Sequence, residues 1–296
     1  MKHLNRFFSV LLLGTVLISS CGSRGKRINN TCQIKKDENH ISYVLDILKP
    51  KTGPGQILGD ITTGTISSDD DDDSNNPGCF HLSIEYVLSG LNVESQKKTN
   101  AAIASLVSRN YTEYYYPEES YETDKTSILG VAERIIYDYS TLQNDATNEN
   151  EDVGTNLGHR IEMDGTFIWF SNHYVSYQLS SVFSDNSIFA RPWHYDRYMT
   201  IELKSGEQTK ITDIFKKDKL AEVSRMLARQ LDNQLEEPHI SYESLQPSLN
   251  FALTKEGILF CYDTGEIESN ALGVIVVILT WESVQPYLTQ PIRKYM

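Results

Sequence analysis

Tyr198-Met199-Thr200-Ile201-Glu202-Leu203, then Lys204-Ser205-Gly206-Glu207 and Gln208-Thr209-Lys210-Ile211, is the stretch that decides the fold. It reads as a strand, a Ser-Gly turn and a returning strand. Just beyond it, Leu220, Val223, Leu227, Leu231 and Leu235 recur at three-and-four spacing and predict an amphipathic helix. Asp218 stands where an N-cap belongs, its carboxylate placed to accept from first-turn amides that lack a helical partner. Phe251–Leu253 and Ile258–Tyr262 predict two more strands. The run Val274-Ile275-Val276-Val277-Ile278-Leu279 is too short to cross a bilayer and too β-branched to prefer a helix. It reads as a central strand buried on both faces.

Upstream, Ile41–Leu48 predicts a first strand, and Lys49 to Pro77 reads as a polar loop ending in the acidic run Asp69 to Asp73. A calcium loop starting at Asp69 needs glycine at its sixth position and glutamate at its twelfth, but these are Ser74 and Phe80. Starting at Asp71 gives Asn76 and Leu82, so both registers fail and the run is a solvated loop. Cys79–Leu88 predicts a strand with Leu82, Ile84, Tyr86 and Leu88 on one face, Val87 departing from the polar side. Helices are expected over Glu94–Ser108 and Ser127–Ser140, with a polar loop over Asn144–Asn156. His159–Phe170 reads as a hairpin turning at Asp164-Gly165, and Tyr174–Phe183 as a further strand. The sum is α+β, with antiparallel sheets, packed helices and two associated subdomains.

Residues 1–20 have the form of a leader. Lys2 and Arg6 precede the apolar stretch Phe7–Leu17, and Ile18-Ser19-Ser20-Cys21 resembles a lipobox. The chemistry this implies is diacylglycerol on the Cys21 thiol, cleavage before it, and acylation such as palmitate on the new amino group. Two or three chains hold a membrane where one does not. Residues 21–39 suit a tether. Gly22 follows the cysteine, not the aspartate associated with inner-membrane retention in some bacteria; in a Gram-negative chain the resemblance to such lipoproteins implies the outer membrane, facing the periplasm or the cell surface. Removing residues 1–20 takes Lys2 and Arg6 and moves the formal charge from −13 to −15, which disfavours nucleic acid and suits a cationic partner. Of the other cysteines, Cys32 and Cys79 are the candidate disulfide, because Cys261 sits inside an apolar strand; three isolated or buried thiols are the alternative. No spacing makes a metal site, and no cofactor motif is present.

Three short motifs resemble those of penicillin-binding proteins and serine β-lactamases: Ser95-Gln96-Lys97-Lys98, Ser184-Asp185-Asn186 and Lys51-Thr52-Gly53. Their order is wrong, since the lysine-threonine-glycine element comes first here and lies between Pro50 and Pro54. Among the histidines, His173 and His194 flank aromatic segments and read as structural. The segment with binding character is Tyr111-Thr112-Glu113-Tyr114-Tyr115-Tyr116-Pro117-Glu118-Glu119-Ser120-Tyr121. Its candidate contact residues are Tyr111, Tyr114, Tyr115, Tyr116, Glu118, Glu119 and Tyr121, which could stack on sugar rings or face arginines and lysines. The same tyrosines could instead pack inward.

The order of strand, Ser-Gly turn, Ile211-Thr212-Asp213-Ile214-Phe215, helix, Phe251-x-Leu-Thr-x-x-Gly257-Ile-x-Phe260, Glu266-Ile267, Gly273, strand, and Trp281 to Leu288 resembles an uncharacterised extracytoplasmic domain family. That domain occurs in RsiV-like lysozyme-sensing anti-sigma factors, beside the catalytic domain of PdaC-like peptidoglycan deacetylases, and in stand-alone envelope lipoproteins. Family members carry Gly-Gly-Ala-His just before the Tyr198-type strand; Ser187–Arg191 holds no such motif. The resemblance implies residues 40–183 as a companion α+β domain and 184–296 as the RsiV-like domain. It implies a non-catalytic, lipid-anchored envelope protein that binds a cell-wall glycan or a cationic protein such as lysozyme. The alternative is an envelope hydrolase acting on peptidoglycan or an ester, with Ser95 and Lys98 as its local nucleophile and base.

Overall fold

Period-two alternation builds the larger of two sheets. In the computed structural model, which describes residues 48–69, 78–116, 127–149, 159–185, 192–234, 245–267 and 273–294, seven strands run in chain order. They are β1 (Lys51–Leu58), β2 (Ile61–Asp69), β3 (Cys79–Ser89), β4 (Arg160–Phe170), β5 (Tyr174–Ser184), β6 (Trp193–Glu202) and β7 (Glu207–Gln208). Every pair is antiparallel except β3–β4, which is parallel because two helices cross between them. These are α1 (Val93–Tyr115) and α2 (Ile128–Glu149). Ile128, Val131, Ala132, Ile135, Ile136 and Tyr139 form the buried stripe of α2, and Ile103, Leu106, Val107 and Tyr111 that of α1. Both stripes join one core with Phe80, Leu82, Ile84, Ile161, Met163, Tyr177, Leu179 and Phe183 of the sheet.

The segment 49–69 is not a loop. β1 and β2 form a hairpin closed by Gly59-Asp60, with Gly59 at φ +63° and Leu58 opposite Ile61, the arrangement of a II′ turn. β1 is exposed along most of its length, and the polar composition that suggested a loop is that of an edge strand. Asp69 ends β2, and residues 70–73 lie outside the described residues. The pairing of β2 with β3 slips between Thr62 and Thr63, so Val87 turns into the core and Leu88 is 51 % exposed. Asn100 of α1 reads this irregular spot with its amide: Nδ2 donates to Val87 O at 2.8 Å and Oδ1 accepts from Val87 N at 2.9 Å.

Asp164-Gly165 is not a turn either. β4 runs through it unbroken, and the reversal falls at Ser171–His173. Gly165 is there for space: a Cβ would lie 2.2 Å from the hydroxyl of Tyr177, a fully buried residue that donates to Glu85 O at 3.0 Å. Helix α2 continues to Glu149 through part of the expected Asn144–Asn156 loop, and α1 runs on to Tyr115. Of the expected first strand, residues 41–47 lie outside the described residues.

A second core follows. It is built by α3 (Ile211–Ile214), a 3-10 turn at Lys217–Lys219, α4 (Leu220–Asp232), β8 (Phe251–Leu253), β9 (Gly257–Tyr262), β10 (Ile275–Thr280), α5 (Trp281–Val284) and α6 (Gln290–Lys294). Val223, Leu227 and Leu231 are fully buried as the spacing requires, each contributing about 1.5–3 kcal/mol. Two local expectations are corrected. Asp218 is exposed within the 3-10 turn, which runs directly into α4, and Lys219 holds the cap position without a side-chain capping bond to the backbone. The returning strand shrinks to β7, and Ile211 begins α3.

The three-stranded sheet has the order β10-β9-β8, so β9 is central and β10 is an edge. Val277 and Leu279 of β10 face the core, while Val276 is 37 % exposed. The other face of this small sheet is apolar because it meets the large one: Ala252 and Cys261 cluster with Tyr198 of β6. Side chains, not a shared ladder, make the seam. Asn250 Oδ1 accepts from Tyr198 N at 2.6 Å, its Nδ2 donates to Asp196 O at 2.7 Å, and Leu253 N donates to Thr200 Oγ1 at 2.9 Å.

Candidate functional site

Alternation along β6 puts Trp193, Tyr195 and Arg197 on the face that carries the helices, beyond the C-terminal end of α1. Trp193 is 50 % exposed and Tyr195 half-buried. Directly across on β5 is the fully buried Phe183, and the last turns of α1 close over it. The Tyr114 ring stacks on Phe183 with centroids 5.0 Å apart at 22°, Tyr115 meets it edge-on at 5.8 Å, and Tyr195 lies 6.1 Å away at 49°. The result is an aromatic cluster whose floor is Phe183 and whose rim is Tyr114, Tyr195 and Trp193.

Charge surrounds this rim. The Arg197 guanidinium sits 5.1 Å from the Tyr195 centroid, donates to Asp263 at 2.5 Å, and approaches Glu113 at 3.8 Å. Burial works against its charge, but the bond to Asp263 and the fields of Asp263 and Glu113 more than offset this and raise its pKa. Burial, then the charge of Asp185, raises Tyr114. Burial raises Tyr195 as well, with Arg197 opposing and Asp263 and Glu113 assisting. Tyr111 and Tyr115 are pushed far up, mainly by burial, so these four phenols stay neutral at ordinary pH.

The sequence-predicted residues divide accordingly. Tyr111 is 4 % exposed and belongs to the core, which removes it from any contact surface. Tyr114, Tyr115 and Tyr116 are half-buried against that core. Glu118, Glu119, Tyr121, Cys21 and Cys32 lie outside the described residues, so the Cys32–Cys79 pair and the lipid site are not described. The Cys79 thiol donates to Glu162 at 3.3 Å. Cys261 is buried, and burial, then Asp196, raises its thiol pKa, which makes it unreactive. His173 and His194 are exposed. Phe183, Trp193, Tyr195 and Arg197 were not singled out from sequence, although aromatic, aromatic and arginine at every second position of Trp193-His194-Tyr195-Asp196-Arg197 was the available signal.

The serine-enzyme motifs do not converge. Ser95 is 2 % exposed; its hydroxyl accepts from Asn92 Nδ2 at 2.8 Å and donates to Lys204 O at 2.6 Å. Lys98 pairs with Glu207 at 3.1 Å. Together they latch the N-terminus of α1 to the β6–β7 turn, where Gly206, at φ +71°, brings its backbone against Ser95. Ser184 lies at the far end of the sheet, roughly 30 Å away along β6, and Asn186 lies outside the described residues. Among the described residues no group of three or more His, Cys, Asp or Glu is placed to hold a metal, and no helix is long and apolar enough to cross a membrane.

Residues 212–282 match a family described as a protein of unknown function, DUF3298. A DUF3298 family member from Bacteroides fragilis shares the fold with a TM-score of 0.58 at 15 % identity, over 84 % of this chain and 98 % of that one. A DUF3298 family protein from Pseudomonas aeruginosa gives 0.51 at 11 % identity, over 79 % of this chain and 96 % of that one. No match was found among curated proteins. The matches establish a mixed α/β fold of the DUF3298 kind, with its family domain in the second core.

Proposed function

We propose that the protein is a non-catalytic lipoprotein of the cell envelope that binds a cell-wall glycan or a cationic protein such as lysozyme. The observation that carries this reading is the half-exposed aromatic rim of Tyr114, Tyr195 and Trp193, ringed by carboxylates on a chain of formal charge −13. Such rings give rigid contact area at low entropic cost, and nearby acids favour cationic or hydroxyl-rich partners. The resemblance to RsiV-like and PdaC-like domains supports a partner at the cell wall. Cys21 in its lipobox supports the anchor, with the outer membrane as its place.

The hydrolase alternative loses its local candidate, because Ser95 and Lys98 are engaged separately. The test uses the mature chain bearing Cys21→Ser, titrated with peptidoglycan fragments and with lysozyme at low and high salt. Saturable binding weakened by Tyr114→Ala or Trp193→Ala is the expected result; a salt-sensitive isotherm marks a cationic protein and a salt-insensitive one a glycan. No binding to either would sink the reading. Lipidation is checked separately by labelling cells with an alkynyl fatty acid, which Cys21→Ser should abolish.

A further inference from the structure

We infer that β10 is a docking edge for a second copy of this chain, the two β10 strands pairing antiparallel and joining two small sheets into one. This dimer is independent of what the aromatic rim binds.

The free groups of β10 follow from the ladder. Cys261 N donates to Asn250 O on the β8 side of β9, and alternation then turns Ile258, Phe260 and Tyr262 toward β10. Their partners in register are Leu279, Val277 and Ile275. Trp281 N, donating to Glu256 O, continues the same alternation. The N–H and C=O groups of Val276 and Ile278 therefore point away from β9. None of them has a hydrogen-bond partner among the described residues, and Val276 is 37 % exposed.

The other ends of the two sheets are blunted. β1 carries Lys51 and Pro54, and its pairing slips between Pro54 and Ile57. β7 is two residues long, and beyond it Asn250 caps the β6 edge at Asp196 and Tyr198. β8 turns its edge onto β6, where Leu253 N reaches Thr200 Oγ1. β10 has six residues in unbroken register, with no charge, proline or bulge.

A second copy fits this edge because it brings a free edge of the same length, equally devoid of charge. With a two-fold axis through Val277, Val276 of each copy lies opposite Ile278 of the other, and their free backbone groups satisfy one another. Ile275 then faces Leu279, and Val277 faces itself, so every cross-strand pair from 275 to 279 is apolar. The paired edge is about 20 Å long at roughly 3.3 Å per residue. That places it at the small end of specific interfaces, so the dimer is weak. The formal charge of −13 on each chain opposes approach, and salt therefore strengthens the association.

The experiment follows the mature Cys21→Ser chain by sedimentation velocity from about 1 μM to about 1 mM, at low and high salt. The expected result is a monomer–dimer equilibrium that tightens with salt. Amide hydrogen exchange should show Val276 and Ile278 fast in dilute samples and protected in concentrated ones, with Val277 protected in both. Val276→Pro removes an N–H that the β9 ladder does not use, and Val276→Lys puts a charge on the edge. Each should weaken the dimer about tenfold or more, with the circular dichroism of the monomer unchanged. A chain that stays monomeric over the whole range overturns the inference. So does a dimer of unchanged strength in both variants, and so does one that gives Val276 and Ile278 no protection. The exchange pattern is read on the parent chain, so it decides the matter even if a variant fails to fold.

Discussion

The two cores of this molecule are assembled by opposite strategies. The first spreads across a sheet whose core strands β3 and β4 are about seventy residues apart in sequence and meet only because α1 and α2 cross between them. The second is mostly local, with a helix, a hairpin and an edge strand packing within residues 211–292 and only Tyr174 and Trp169 reaching in from the large sheet. The first core tolerates a polar outer face along β3 and β4, where His81, Ser83, Glu85, Glu162 and Asp164 stand, while the small sheet buries residues on both sides. Core placement in the first therefore depends on a few special residues at long range, and in the second on ordinary spacing. The two meet through Asn250 and Thr200, side chains standing in for backbone.

The sharpest break of the first core is at Gly165. Gly165→Ala drives a methyl to 2.2 Å from the Tyr177 hydroxyl in a packed interior, and the expected loss is about 3 kcal/mol in urea denaturation. Tyr177→Phe alone costs about 1 kcal/mol through its lost bond to Glu85 O. Combined with Gly165→Ala it should recover part of the larger loss, because the clashing atom is gone. Strict additivity of the two would show that Gly165 matters for some other reason.

The seam is the next test. Asn250→Ala removes two hydrogen bonds to β6 and leaves the Tyr198 amide and the Asp196 carbonyl without that partner, at an expected cost of about 2–3 kcal/mol. Hydrogen exchange should then show residues 251–280 opening before the first core does. Unchanged protection of the Tyr198 amide would mean the cores are joined by packing alone.

These two positions also mark where the sequence was legible and where it was not. α4, β8 and β9 were read correctly because their signals are periodic and local. β10 was read as central, since six apolar residues in a row do not reveal that the strand pairs on one side only, with β9, and leaves Val276 partly exposed. Asp164-Gly165 passed for a turn because the reason for the glycine, Tyr177, lies twelve residues on in a neighbouring strand. The β1–β2 hairpin was hidden by edge-strand composition. At the candidate site, the α1 tyrosines stood out by density, but the partners that give them meaning, Phe183, Tyr195 and Arg197, are defined by strand register across β5 and β6. No local pattern encodes that register.

A smaller effect compares the two ends of the large sheet. Ser95→Ala should cost about 1 kcal/mol by releasing the β6–β7 turn from α1, read as a lowered midpoint in denaturant. An activity lost without any change in stability would instead return Ser95 to the role of nucleophile.

The smallest effect lies on the polar outer face, where His81 bridges three strands: its ring bonds Asp69 of β2 and approaches Asp164 of β4 at 3.5 Å. The Asp164 carboxylate, and then that of Asp69, outweigh partial burial and raise its pKa from 6.5 to about 9. The imidazolium is therefore held in the folded state. Because the folded pKa is the higher one, this stabilisation is complete below about pH 6.5, declines as pH rises, and is gone above about pH 9. Roughly a third of the His81 side chain and more than half of each carboxylate are open to solvent, so screening leaves on the order of 0.5 kcal/mol. Urea titrations of the parent chain and of His81→Gln between pH 6 and 10 should converge at the alkaline end and separate at the neutral end. Parallel curves would mean that the polar face contributes no pH-dependent brace, and that β2, β3 and β4 are held by their ladders and the helix-side core alone.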